Sequence, residues 1–200
     1  MVFFKAAVAA SLLAAASAQP IATLPGVPVV NGYGLSPLPP QNINGQEIHA
    51  SNGEFWVGKP TTTLCPVDEK LCPKPGNKTA FTVLPDGTMW MDTVVPGGQQ
   101  LFVTPKGVVS YTKPHSAAMP QGYVSNGFRI VISGGGLLVI PPGSWKICPD
   151  SKGRYQLFME SHGKTLRNED VPSGNAEHCL LTHVQSQALP GFGTSAYEYL

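Results

Sequence analysis

Turn-forming residues set the limits on what this chain can build. It holds 22 Gly and 20 Pro, 42 of 200 residues or 21%, where an average protein has roughly 12%. Between them lie only short apolar runs. Beyond residue 18 no window keeps the i, i+3, i+4, i+7 apolar spacing of a helix across three turns. The nearest, His162 to Pro172, is polar and brief. The runs read instead as strands: Phe55–Gly58, Ala80–Leu84, Met89–Val95, Leu101–Thr104, Val108–Thr112, Phe128–Ile132, Leu137–Ile140, Tyr155–Met159 and Leu180–Ser186. Pro85-Asp86-Gly87, Pro105-Lys106-Gly107, Ser133-Gly134-Gly135-Gly136 and Asp150-Ser151-Lys152-Gly153 separate them and place glycine where a hairpin needs positive φ. The expected fold class is all-β, a single disulfide-braced β-sandwich or irregular β-barrel over residues 46–200. A β-trefoil-like arrangement comes next, although no clean period of about 40 to 50 residues recurs.

Residues 1–18 read as a secretory signal peptide. Lys5 is a short positive region, Ala6 to Ala15 an apolar one, and Ala16-Ser17-Ala18 a small-residue cleavage site. That apolar run is too short for a bilayer of about 30 Å, and no later stretch approaches the roughly 20 apolar residues of a span. The final residues, Tyr197 to Leu200, carry no apolar tail of the kind that directs a GPI anchor. Residues 19–45, with Pro20, Pro25, Pro28, Pro37, Pro39 and Pro40, read as an extended lead-in with one short strand at Val27–Val30.

Cleavage after Ala18 removes Lys5 and leaves 12 Lys and Arg against 12 Asp and Glu. A neutral chain lacks the cationic footprint that nucleic-acid binding requires, so no nucleic-acid partner is expected. Four cysteines in a secreted chain suggest two disulfides. Cys65, Cys72, Cys148 and Cys179 allow three pairings, and spacing with the intervening turn residues favours Cys65–Cys72 and Cys148–Cys179. The C-x6-C spacing does not suit zinc. The histidines, His49, His115, His162, His178 and His183, form no H-x-H or H-x3-H pair, so no metal or other cofactor is expected. Asn77-Lys78-Thr79 is a glycosylation sequon beside a Pro-Gly turn.

Catalytic motifs are sparse. Gly53 to Lys59 matches the start of a phosphate-binding loop, but Pro60 stands where a Ser or Thr must meet Mg²⁺. His115-Ser116 are neighbours, which on a strand point to opposite faces, and no G-x-S-x-G elbow occurs. A glycoside hydrolase needs two carboxylates across a sugar, and Asp92 and Glu160 are the pair to test. Trp56, Trp90 and Trp145 lie on or beside strands, where each either packs in the core or offers a face to a sugar ring. An enzyme is not expected. The favoured partner is a neutral cell-wall polysaccharide, with an effector or protease-inhibitor-like protein presenting the Cys65–Cys72 loop as the alternative.

Several segments, in order, carry a resemblance. They are His49-Ala50-Ser51, Phe55-Trp56-Val57-Gly58, Leu64-Cys65-Pro66, Cys72-Pro73, Gly76-Asn77-Lys78-Thr79 and Val95-Pro96-Gly97-Gly98-Gln99-Gln100. Pro105-Lys106-Gly107-Val108, Tyr111-Thr112, His115-Ser116-Ala117, Pro120-Gln121-Gly122 and Gly127-Phe128 follow, then Ile147-Cys148-Pro149, Cys179 and Ala196-Tyr197-Glu198-Tyr199. Over about residues 45 to 199 the chain resembles the fungal secreted cell-wall proteins of the PhiA type, some of them described as IgE-binding and allergen-like. The resemblance implies an extracellular, wall-associated glycoprotein with two disulfides. It brings no known catalytic site and ties the chain to wall integrity, conidial development and antigenicity.

Overall fold

The computed structural model describes the backbone of residues 28–35, and residues 43–73, 78–133, 136–161, 163–188 and 195–200. The signal-peptide segment, Asn77 and His162 lie outside the described residues. Among the described residues the structure is built of strands and short 3-10 turns, with no α-helix. No helix there is long and apolar enough to cross a membrane.

Two seven-stranded antiparallel sheets make the body. The strands of the first are β1 (Pro28–Leu35), β2 (Gln46–Glu47), β6 (Ala80–Val83), β7 (Met89–Met91), β10 (Arg129–Ser133), β11 (Gly136–Ile140) and β15 (His183–Ala188). They run in the order β10-β11-β15-β1-β6-β7, with β2 on β1. The second holds β3 (His49–Ser51), β4 (Glu54–Val57), β8 (Leu101–Val103), β9 (Val109–Tyr111), β12 (Gly143–Pro149), β13 (Tyr155–Ser161) and β14 (Leu180–Leu181). Its order is β14-β12-β13-β4-β9-β8, with β3 on β4, and β5 (Thr63–Leu64) pairs separately with β16 (Glu198–Tyr199).

Neither large sheet closes on itself, and both send side chains into one core. Phe81, Met89, Ile130, Val139 and Val184 enter from the first, Phe55, Leu101, Val109, Ile147 and Leu157 from the second. This is the expected all-β architecture in its sandwich form. Phe128 stacks on Trp145 with centroids 6.1 Å apart, and the Trp145 indole N–H donates across the core to the Val139 carbonyl at 2.7 Å. Of the strand expected at Val27–Val30, Val27 lies outside the described residues and the rest belongs to the longer β1, which pairs with β15 and β6 inside its sheet.

The strands end where the sequence dictates. Gly87, Gly107 and Gly153 adopt φ of 81°, 85° and 74° at the Pro-Asp-Gly, Pro-Lys-Gly and Asp-Ser-Lys-Gly turns. Asn52 and Gly53, both at positive φ, form the two-residue loop that joins β3 to β4. Gly53 is therefore part of a hairpin, and no phosphate-cradling loop forms there.

Two segments lie outside the sandwich. The stretch from Leu166 to Cys179 lies against the outer face of the second sheet, where Val171, Leu166 and Cys148 pack around the fully buried Phe158. The segment Ser195–Leu200 threads through the first half of the chain. Tyr199 is 0% exposed; its hydroxyl donates to the Lys78 carbonyl at 2.7 Å and accepts from the Ala80 N–H at 3.1 Å. Gln99, also 0% exposed, donates to the Thr112 and Tyr199 carbonyls and accepts from the Tyr199 N–H.

Candidate functional site

The three tryptophans do not form a common surface. Trp145 is 4% exposed and belongs to the core, with one face on Phe128, so it has no face for a sugar. Trp56 is 6% exposed. The Lys59 ammonium stands 3.1 Å from its ring centroid, the Arg154 guanidinium is 5.8 Å away, and its indole N–H donates to Glu54. This cation–π cover closes the ring that stacking would need. Burial, followed by the nearby Arg154 charge, lowers the Lys59 pKa. Trp90 alone is half-buried, with its indole N–H on the Thr88 hydroxyl and Gly98 against its edge.

Both candidate carboxylates are engaged in structural bonds. Asp92 accepts from the Ser195 N–H and from its hydroxyl, each at 2.9 Å. Glu160 accepts from the Leu166 N–H at 3.2 Å and pairs with Lys146 at 3.4 Å. Each thus fixes a loop to a strand. Ser116 accepts from the Ala118 N–H and donates its own N–H to the Lys113 carbonyl, so the His115-Ser116 pair sits in a turn. Sulfur pairing follows the local pattern, Cys65–Cys72 and Cys148–Cys179.

An open cleft of about 330 Å³ stands apart from these residues. One wall is the β8–β9 turn. Gly107 donates to the Thr104 carbonyl and accepts from the Met159 N–H, which stitches this turn to β13. A Cβ at Gly107 would lie 2.6 Å from Leu166 Cδ2 and 3.0 Å from the Met159 carbonyl, and φ is 85°. Glycine is therefore required for the two walls to approach this closely. The opposite wall is Ser161 and the stretch Lys164–Arg167, held by the Leu166–Glu160 bond and further along by the Cys148–Cys179 disulfide. Gly122 and Val124 close the third side, where Val124 pairs with Val103 through two backbone bonds.

Asp170 organises the charges. Its side chain is 4% exposed and takes a two-point bond from Arg167, 2.8 Å from Nε and 3.3 Å from the second terminal nitrogen. The Lys106 ammonium lies 3.8 Å from Oδ1, the oxygen that also accepts from the Arg167 terminal nitrogen. Such a fork fixes a guanidinium plane. Lys106 and Arg167 remain 64% and 62% exposed, and Lys164 is exposed beside them. Asp170 was not among the residues singled out in the sequence. Its i, i+3 spacing from Arg167 was a legible signal, but Lys106, 64 positions away, gave none.

Comparison with known proteins agrees with the resemblance in sequence. The family model of PhiA-like secreted proteins matches residues 36–199. An uncharacterized secreted protein of Arthroderma benhamiae is 31% identical over 169 residues, 80% of this chain and 80% of that protein. No solved structure matches the chain. Matched over most of its length and sharing the family's secreted character, the chain belongs to the PhiA-like secreted protein family.

Proposed function

We propose that this secreted protein is a non-catalytic component of the fungal cell wall that binds wall polysaccharide and carries a glycan on Asn77. The observation that carries the reading is the cleft beside Asp170. It is large enough for a small-molecule site, at the lower end of the usual range of about 300 to 1,000 Å³. Its wall supplies hydroxyls from Ser161 and Thr165 and charged donors from Lys106 and Arg167. These groups match the hydroxyl-rich surface of a sugar. The pair of acids that the sequence offers for hydrolysis, Asp92 and Glu160, is bound up with separate loops. Binding without turnover is what this arrangement supports.

The test is retention of the disulfide-intact chain from residue 19 on insoluble β-glucan, chitin, mannan and anionic polysaccharide, with reducing-end release measured in parallel. Retention without release supports the reading; release of sugar, or failure on every wall polymer, overturns it.

A second reading rests on a different observation. Leu64, Val67 and Leu71 are 44%, 43% and 74% exposed on and beside the Cys65–Cys72 loop. Apolar side chains on a braced loop suit a protein partner, as in a secreted effector or inhibitor. Chemical crosslinking on the wall surface, with loss of protein adducts in Leu71→Ser, distinguishes it.

A further inference from the structure

We propose that the cleft beside Asp170 takes an anionic group on its polysaccharide, a phosphodiester or a carboxylate carried by the sugar chain. The inference deepens the wall-binding reading and rests on it.

The charge balance is local. The whole sequence carries a net charge of +1. The cleft is nonetheless lined by Lys106, Lys164 and Arg167 against one acid, Asp170. That acid is buried and committed. It receives the Arg167 fork and the Lys106 ammonium, so it positions cations and presents little charge outward. Of the five guanidinium N–H groups, two go to Asp170 and one to Glu169, at 2.8 Å from the remaining terminal nitrogen. One N–H on each terminal nitrogen stays available. Asp170 can accept from no more than one of the three Lys106 hydrogens at its 3.8 Å separation, and Lys164 is exposed on the same rim. The other acids nearby are Glu169, itself paired with Arg167, and Glu160, which pairs with Lys146 and caps Leu166. The unspent donors are thus cationic.

A neutral sugar would leave the positive excess of Lys106, Lys164 and Arg167 over Asp170 and Glu169 without a counter-charge. An oxyanion would accept charge-assisted bonds from several at once. Its size and lining argue for one anionic group on a sugar and against a nucleic acid strand. The cleft is small, its hydroxyls suit sugar, and among the described residues no aromatic ring lines it for base stacking.

The experiment uses the full disulfide-bonded chain on four immobilised polymers: phosphorylated mannan, polygalacturonate, unphosphorylated mannan and neutral β-glucan, at 0.1 M and 1 M NaCl. Screening shortens from about 10 Å to 3 Å over that range. The expected result is binding to one or both anionic polymers, weakened about tenfold or more by salt, and by a similar factor in Lys106→Ala/Lys164→Ala. Both lysines are exposed, so the double variant should melt with the parent. The two anionic arms tell phosphate from carboxylate. Equal, salt-insensitive binding to neutral polymers overturns this inference and leaves the wall-binding reading intact. Anionic binding that the double variant does not change overturns the placement in this cleft. Failure on all four polymers overturns both.

Discussion

Replacing Gln99 with leucine removes one side chain from the centre of the knot that holds Ser195–Leu200. The amide makes three bonds, to the Thr112 carbonyl at 3.0 Å, to the Tyr199 carbonyl at 2.9 Å and from the Tyr199 N–H at 2.8 Å. Gln99 and Tyr199 are 0% exposed and Thr112 4%, so the lost partners are out of contact with bulk solvent. Each stranded group costs about 1–3 kcal/mol. Leucine recovers part of this through apolar contact, leaving a net loss of about 3–5 kcal/mol. For a chain of this size each kcal/mol lowers Tm by about 2–4 °C, which puts the drop near 10–15 °C by calorimetry. Gln99→Glu sharpens the test. At pH 7 its carboxylate would face two carbonyl oxygens with nothing to donate; once protonated it donates one bond. The folded state therefore favours the protonated acid and raises its pKa. That penalty is present above the ordinary carboxyl range near 4.3 and shrinks as pH falls. The Tm gap between Gln99→Glu and the parent should be narrower at pH 4 than at pH 7. A drop below about 3 °C for Gln99→Leu would refute the reasoning, as would a gap that ignores pH.

Three further outcomes follow from the geometry. Chain-entropy arithmetic gives about 3.7 kcal/mol for Cys148–Cys179 and about 2.5 kcal/mol for Cys65–Cys72, so Cys148→Ala/Cys179→Ala should melt lower than Cys65→Ala/Cys72→Ala in thermal denaturation. Gly107→Ala forces a left-handed φ and a Cβ against Leu166 and the Met159 carbonyl; a loss of roughly 1–3 kcal/mol and weakened polysaccharide retention are expected, and unchanged melting would count against the tight approach. Burial lowers the His49 pKa, with Glu47 opposing, while its ring nitrogen bonds the Thr61 hydroxyl at 2.9 Å. The folded state favours neutral His49, so its contribution is full above pH 6.5 and is lost as pH falls through the lowered value; melting curves from pH 7 to 5 should show the decline, and His49→Gln should flatten it.

The sequence was most legible where structure is local. Glycines at Gly87, Gly107 and Gly153 mark turns because only the backbone at that point decides them, and the disulfide pairing follows from short loops. Strand β12 escaped notice although Trp145 and Ile147 alternate with Ser144 and Lys146, because Pro141-Pro142-Gly143 reads as loop. Alternation also failed on β4, where Phe55, Trp56 and Val57 are all buried. One face meets the core, while Lys59 and Arg154 cover Trp56 on the other. A strand pattern tells that a tryptophan alternates but not what lies over it. The cleft was least legible, since its cations come from a hairpin and a distant loop that only the folded sheet brings together.

The engagement of Ser195–Leu200 also orders events in time. Tyr199 reaches Lys78 and Ala80, Ser195 holds Asp92, and the Val94 and Val95 N–H groups bond the Ala196 and Tyr197 carbonyls. These partners are synthesised about a hundred residues earlier, and until residues 195–200 arrive they wait unpaired. Folding dominated by such distant pairings is slow, and it cannot finish early on the ribosome. A chain interrupted before Ser195 would enter the secretory pathway with an unfilled slot in its core and open backbone donors around it. The residues made late are thus the ones that close what was made first.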